Sequence, residues 1–478
     1  MTILEKIDQV RSFYIKTVVN YPRSVIALWL TFSLLLGINL VNLKIDPDVK
    51  ALLPEEMDFI QNMNKMDELF GGSDIVIVAI AADSLFTEST LTKIANLTRE
   101  LEQLDFVDRV ISLTNAEEVH SIPDGFEVGP VMPVFPQSSA EVAALQARLK
   151  KNELLYGNII STDFTKAALI VVLKTPVDVA KDQQIYAVLE DLRQRYQDPE
   201  QIYFAGMPIT RVEISTMMIA DLKTLFPYGL ILMTFFLVIS MRSWIGAMLP
   251  FVVTLLVVAQ TFGLMALCGI KVTFVGVVIP VMLIAVTSSY SIHLIAHYLH
   301  EARLAPDKGQ ALLVTEMHHA LQVPVFLSAA TTLVGFLSLR THVLPPIMQI
   351  GMLIAFGIVM SFLMSMTFIP AALLLLGKPP QIEKRREVTR LDFVLRNVGQ
   401  FLIRHPKIIL TLTLVGVVIL AIGIPRLRVD TNPVSFFDKE SEFRRSSQLI
   451  DRDFGGSSQI AILCQGDFQD PEYLQKVD

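Results

Sequence analysis

The chain has 478 residues, 52% apolar and 18% charged, with a formal net charge of −7. Soluble domains carry about 25% charge, so this composition excludes a disordered chain, a nucleic-acid binder and a small secreted scaffold. The two cysteines, Cys268 and Cys464, provide no disulfide framework.

Apolar residues gather in runs of membrane-spanning length, about 20 residues each. Residues 1–23 form a basic N-terminal segment with Lys6, Arg11, Lys16 and Arg23. The first predicted span follows at 24–43. It is too long for the apolar core of a signal peptide, and no small-residue cleavage site follows it. Residues 44–221 are polar enough for a water-facing domain. Within it, Asp74–Ala82 reads as a strand, Thr87–Asp105 as a helix and Val107–Leu113 as a second strand. Pro123–Gln137 reads as a Pro/Gly-rich loop, and Ser139–Leu155 as a helix. Lys166–Lys174, Val179–Tyr196 and Gln201–Ala205 repeat the strand–helix–strand order. Two βαβ units split by an insertion give an α+β, ferredoxin-like pattern.

Five further spans fall within 224–376, at about 224–241, 245–267, 272–298, 323–339 and 347–376. The polar stretch His300–Gln322 reads as an amphipathic helix lying on the membrane. A basic linker occupies 377–407, a seventh span 408–424, and a second polar segment 425–478. Lys and Arg concentrate in the linker and in the loops holding Arg242, Arg303 and Lys308, whereas the opposite short loops hold Lys271 and Arg340. By the positive-inside rule, the N-terminus is cytoplasmic and the domain at 44–221 extracytoplasmic. The fold class is therefore a multi-spanning α-helical membrane protein with an α+β extracytoplasmic domain, set in the cytoplasmic (inner) membrane.

The chain repeats itself at an offset of 384 residues. Pro22, Leu43, Asp46, Phe59, Asp67 and Asp83 match Pro406, Leu427, Asp430, Phe443, Asp451 and Asp467. Phe70-Gly71-Gly72-Ser73 matches Phe454-Gly455-Gly456-Ser457 without a gap. The unit is one span, one polar domain and five spans, and paired units of this kind recur in transporters. After the offset, 94 positions of a second unit remain. The expected partner is the rest of that unit, spans eight to twelve, on roughly 300 further residues. The sequence is thus expected to be a truncated chain, a split gene product or a partial sequence.

This layout resembles the RND (resistance–nodulation–division) superfamily, and within it the hydrophobe/amphiphile exporters related to MMPL and hopanoid transporters. The resemblance rests on an ordered set of motifs. These are Phe70-Gly71-Gly72, Gly206-Met207-Pro208, and Tyr290-Ser291-Ile292-His293-Leu294 followed by Tyr298 and Glu301. Thr331-Thr332, Gly335-Phe336, Gly351, Gly357, Thr367 and Pro370-Ala371 complete it. It implies secondary-active export of lipids or lipid-like amphiphiles, with membrane lipids, a hydrophobic substrate and a homo-oligomeric or periplasmic partner. The other class of reading is a lipid-sensing or assembly protein that does not pump. No cofactor, metal or nucleic acid is expected, no GxxxxGK[ST] loop is present, and no catalytic constellation marks an enzyme.

Proton-driven relatives carry aspartates in the fourth span, whereas here the stretch reads Thr287-Ser288-Ser289-Tyr290. No Asp or Glu lies deep in any span. Ser289 and His293 share a helical face at i and i+4. An ionisable group inside a membrane is a functional candidate. His293 either carries a proton or hydrogen-bonds a neighbouring helix. Ser288 and Ser289 with freed carbonyls offer a Na⁺ alternative. Thr331 and Thr332 either extend a polar pathway with Tyr290 or bond their own i−4 carbonyls. Gly335, Gly351 and Gly357 are expected to permit close helix packing. Phe70, Gly71 and Gly72 are expected to form a tight turn rather than a substrate contact.

Overall fold

The computed structural model describes residues 15–70, 74–122, 125–174, 179–241, 243–377, 390–427, 430 and 432–456. Among them, seven helices are long and apolar enough to cross a membrane. They are Pro22–Asn42, Met207–Met241, Trp244–Leu267, Phe274–Leu304, Gln310–Thr341, Pro345–Leu376 and Pro406–Arg426, here the first to seventh spans. The protein is a multi-pass membrane protein.

The third, fourth and sixth spans bury the largest share of their surface and form the centre of the bundle. The first, second and fifth flank them, and the seventh buries none of its side chains. Small residues allow the close approaches. A Cβ on Gly263 would stand 2.2 Å from the Leu36 carbonyl oxygen of the first span. A Cβ on Gly357 would stand 2.4 Å from Leu283, and one on Gly351 2.7 Å from Leu339. Without a water-driven hydrophobic effect, such contacts are what hold helices together in lipid. Gly335 departs from the expectation: a Cβ there would meet nothing within 4 Å.

The α/β domain between the first two spans is built on strands. In chain order they are β1 (Ile45–Asp46), β2 (Ile75–Ala81), β3 (Val107–Ile111), β4 (Glu117–Ile122), β5 (Gly125–Pro130), β6 (Lys166–Leu173) and β7 (Gln201–Gly206), with β8 (Val272–Thr273) outside it. The main sheet has the order β3-β6-β2-β7, antiparallel throughout. Helix Glu88–Glu102 links β2 to β3, and Val179–Tyr196 links β6 to β7. Val76, Val78 and Ile80 of β2 join the domain core with Leu91, Ile94, Ile185 and Leu189 from those helices. Ile77 and Ala79 point the other way, onto Ile450 of helix Glu442–Asp453 and Phe454 just after it. A nearly unbroken apolar strand is what a sheet covered on both faces requires.

Four elements differ from the sequence reading. Residues 125–130 pair antiparallel with 117–122 as a hairpin instead of lying in a loop. Pro130 is tolerated because it ends an edge strand, where no ladder donor is needed. The helix read as Ser139–Leu155 stops at Leu149. The surface helix expected at His300–Gln322 is not a separate element. The fourth span continues to Leu304, and one helix runs from Gln310 to Leu337 through Pro324. Leu313, Val314 and Met317 are fully buried in the bundle, so that stretch packs against protein. The second span also starts early: its helix begins at Met207, directly after β7.

Candidate polar pathway in the membrane bundle

Polar side chains in lipid must find partners within the protein. The bundle centre supplies a neutral lattice of them. Gln260 of the third span is fully buried and donates to Ser33 Oγ of the first span at 2.7 Å. The same amide nitrogen lies 3.6 Å from Met364 Sδ of the sixth. Thr287 of the fourth span and Ser361 of the sixth share a hydrogen bond of 2.6 Å. Ser291, one turn on, bonds the Thr287 carbonyl at 2.9 Å. Trp29 Nε1 of the first span donates to Thr367 Oγ1 of the sixth at 2.7 Å. The lattice therefore ties four spans together.

Four buried atoms nearby lack a hydrogen-bond partner among the described residues: Thr254 Oγ1, Gln260 Oε1, Tyr290 Oη and Ser365 Oγ. Hydroxyls and amides of this kind can relay hydrogen bonds or ligate a cation, but they store no charge at neutral pH.

The sequence-predicted residues divide between two faces of the fourth span. Ser288 and Tyr290 are buried, with Ser288 Oγ donating to the Ala285 carbonyl at 3.1 Å. Tyr290 Oη lies beside Thr332 of the fifth span. Ser289 and His293 lie together on the exposed face, away from the lattice. Thr331 and Thr332 bond back to their own helix. Thr331 donates to the Leu327 and Ser328 carbonyls at 3.0 Å each, and Thr332 to Ser328 at 2.8 Å. Thr332 thus combines a bond to its own helix with a place next to Tyr290. Phe336 is half-buried against the bundle core. Pro370 is buried within an uninterrupted sixth helix. Gly71, Gly72 and the Phe70 side chain lie outside the described residues.

Sequence reasoning missed Ser33, Gln260 and Ser361. A signal existed for Gln260, since it is the lone amide in the apolar run 245–267. Ser33 and Ser361 resemble ordinary small residues until their partners across the bundle are placed.

At the junction of the α/β domain and the second span lies a buried ion cluster. Arg211, on the first turns of that helix, contacts Asp182 at 2.6 and 2.9 Å and Asp74 at 2.8 and 3.2 Å. Burial pushes the Asp182 carboxyl up from its ordinary value, and the Arg211 hydrogen bonds pull against it. Just before it, Gly206 has φ +125°, and a Cβ there would stand 2.2 Å from the Ile75 carbonyl oxygen. The junction needs glycine both for that backbone conformation and for the close approach.

Comparison with known proteins places this geometry. The profile of the MMPL family matches residues 51–409. A protein of Methanocaldococcus jannaschii named as a membrane protein is 23% identical over 368 residues, 74% of this chain and 90% of that protein. A protein of Streptomyces coelicolor, also named as a membrane protein, is 26% identical over 182 residues, 37% of this chain and 21% of its own. The sulfolipid-1 exporter MmpL8 of Mycobacterium tuberculosis is 28% identical over 151 residues, 31% of this chain and 14% of its own. The matched region thus spans most of the archaeal protein but less than a quarter of the two bacterial ones. Because the family match runs through both the α/β domain and the second to sixth spans, the chain belongs to the MMPL family.

Proposed function

We propose that this chain forms one unit of a secondary-active exporter of hydrophobic or amphiphilic molecules, lipids or lipid-like compounds. The observation that carries the reading is the family match over residues 51–409. The similarity to a sulfolipid-1 exporter favours lipid cargo. The Lys and Arg distribution favours the cytoplasmic membrane, with the α/β domain on the extracytoplasmic side. The strand order β3-β6-β2-β7 with its two βαβ connections supports a ferredoxin-like domain at 44–221.

In this reading the α/β domain handles substrate, and the junction at Gly206 and Arg211 passes its movement to the second span. Two carboxylates on separate elements gripping one guanidinium make a stiff coupling, because parting them exposes unpaired buried charge. Ser289 and His293 form the ion-facing side of the fourth span, covered by spans of a second unit. His293 is the proton carrier in this scheme, as the ionisable side chain on that face of the span.

The test is reconstitution of the full-length natural protein in liposomes, with a fluorescent lipid and an imposed pH or Na⁺ gradient. Flux that follows the pH gradient and is lost in His293→Ala supports the scheme. Full flux in that variant removes His293 as carrier. The second reading, a lipid sensor that does not pump, is favoured by the absence of Asp and Glu from the depth of the spans. Lipid binding with flux indifferent to both gradients would establish it instead.

A further inference from the structure

A cleft opens where three elements meet: helix Val179–Tyr196 of the α/β domain, the first turns of the second span and helix Glu442–Asp453. Its volume is about 160 Å³, and a protein cavity of roughly 150 Å³ holds a benzene molecule. The cleft therefore has room for a small headgroup and not for acyl chains. Phe204, Ile209 and Phe443 line it and are 7%, 2% and 6% exposed, so its floor is apolar. Tyr186, Glu190 and Arg193 line it from one face of their helix, at i, i+4 and i+7. Glu213 and Glu442 enter it from the other two helices.

The charges around the cleft do not balance. Arg193 contacts Glu190 at 2.5 Å and also Glu442, so one guanidinium serves two carboxylates. Glu213 is half-buried, and the Tyr186 hydroxyl donates to it at 3.0 Å. Burial and the Glu213 carboxylate push the Tyr186 phenol up to about 12, so it stays a neutral donor. Among the described residues no Lys, Arg or His pairs with Glu213. A second feature is independent of these charges. Ser446 lines the cleft and is 4% exposed, and its hydroxyl makes no hydrogen bond among the described residues. A buried hydroxyl left without a partner costs free energy, and this one adjoins open volume.

We propose that this cleft binds the ammonium headgroup of an amphiphile. Its N–H donors meet the carboxylates of Glu213 and Glu190, which are acceptors only. The neighbouring methylenes lie on Phe204, Ile209 and Phe443, and the Ser446 hydroxyl takes a polar atom of the same headgroup. An anionic headgroup fits worse, because it would face three carboxylates and one guanidinium. Glu213 stands two residues beyond Arg211 of the buried ion cluster. A bound headgroup would therefore join the α/β domain, the second span and helix Glu442–Asp453 at the junction that the cluster already stiffens.

The test is equilibrium binding of dansylcadaverine, a fluorescent primary amine on a five-carbon chain, to the full-length natural protein in phosphatidylcholine nanodiscs. Binding is expected to raise the emission, and the N-acetylated analogue, which has no charge, is expected not to bind. Glu213→Gln and Glu190→Gln should each weaken binding about tenfold, the ordinary worth of a charge-assisted hydrogen bond. Glu153→Gln, on the exposed surface, should leave it unchanged. The two cleft carboxylates stand on different helices, so a folding defect in one variant does not silence the other. Displacement by dihexanoyl phosphatidylethanolamine but not by ethanolamine assigns a lipid headgroup, and displacement by both assigns an amine in general. Equal binding of the acetylated analogue, unchanged binding in both cleft variants, or equal displacement by dihexanoyl phosphatidylglycerol overturns the proposal. Binding is read without a gradient or flux, so a failed cleft leaves the exporter reading standing, and a failed flux test leaves the cleft standing.

Discussion

The α/β domain and the membrane bundle bury polarity in different currencies. The domain takes full charges out of water, with Arg211 held between Asp74 and Asp182. The bundle centre uses neutral groups: Gln260 on Ser33, Thr287 on Ser361 and Trp29 on Thr367. The difference reflects the two solvents. In the domain a triad can be assembled from charges solvated by water until folding brings them together. In lipid a lone charge costs several kcal/mol before it meets a partner, whereas a hydroxyl can bond its own helix first and its neighbour later. The domain is thereby stiffened by few strong contacts, and the bundle by many weak ones whose exchange costs little.

The comparison can be broken by substitution. Arg211→Met should have the largest effect, about 3–5 kcal/mol of stability, because it strands two carboxylates in the interior. Thermal unfolding of the purified protein in detergent reads it. Adding Asp74→Asn and Asp182→Asn should recover part of that loss, and no recovery would mean the guanidinium matters through packing alone. Gly206→Ala should cost about 1–3 kcal/mol through backbone strain, with a further penalty from the clash with the Ile75 carbonyl. In the bundle, Thr287→Val removes the 2.6 Å bond to Ser361 and should cost only about 0.6 kcal/mol, the typical worth of such a bond in a membrane protein. A loss as large as that of Arg211→Met would show that the bundle lattice is as stiff as the domain. Ser289→Ala should change stability by less than about 0.5 kcal/mol, since its side chain faces away from the lattice. Any effect of that substitution on flux is then an effect on function.

Much of this architecture was legible in the residues. Long apolar runs announced each span, because a bilayer's thickness imposes a length that few soluble elements share. The βαβ order showed in the alternation of runs such as Ile75–Ala81 with the Thr87-capped helix that follows; Thr87 does accept from the Thr90 amide. The hairpin at 117–130 escaped because Gly125, Gly129 and Pro130 look like loop residues unless the partner strand is known. The packing of 310–322 into the bundle escaped because amphipathicity reports that a face is covered, not by what. Thr331 and Thr332 were legible as polar and unreadable as to partner, since a threonine's own i−4 carbonyl competes with any neighbour.

Sequence by itself determined where apolar runs of spanning length fall, the repeat at an offset of 384 residues and the lack of a carboxylate in the stretch Thr287–Tyr290. These follow from local chemistry: run length, spacing and residue type are properties of the chain before it folds. Only the tertiary structure decided that Ser289 and His293 face away from the lattice while Thr287 and Ser291 face into it. It alone revealed that Gln260 reaches across to Ser33, and that helix Glu442–Asp453 covers the second face of the main sheet. Periodicity establishes that a helix has two faces, but the neighbours that distinguish them come from residues up to several hundred positions away.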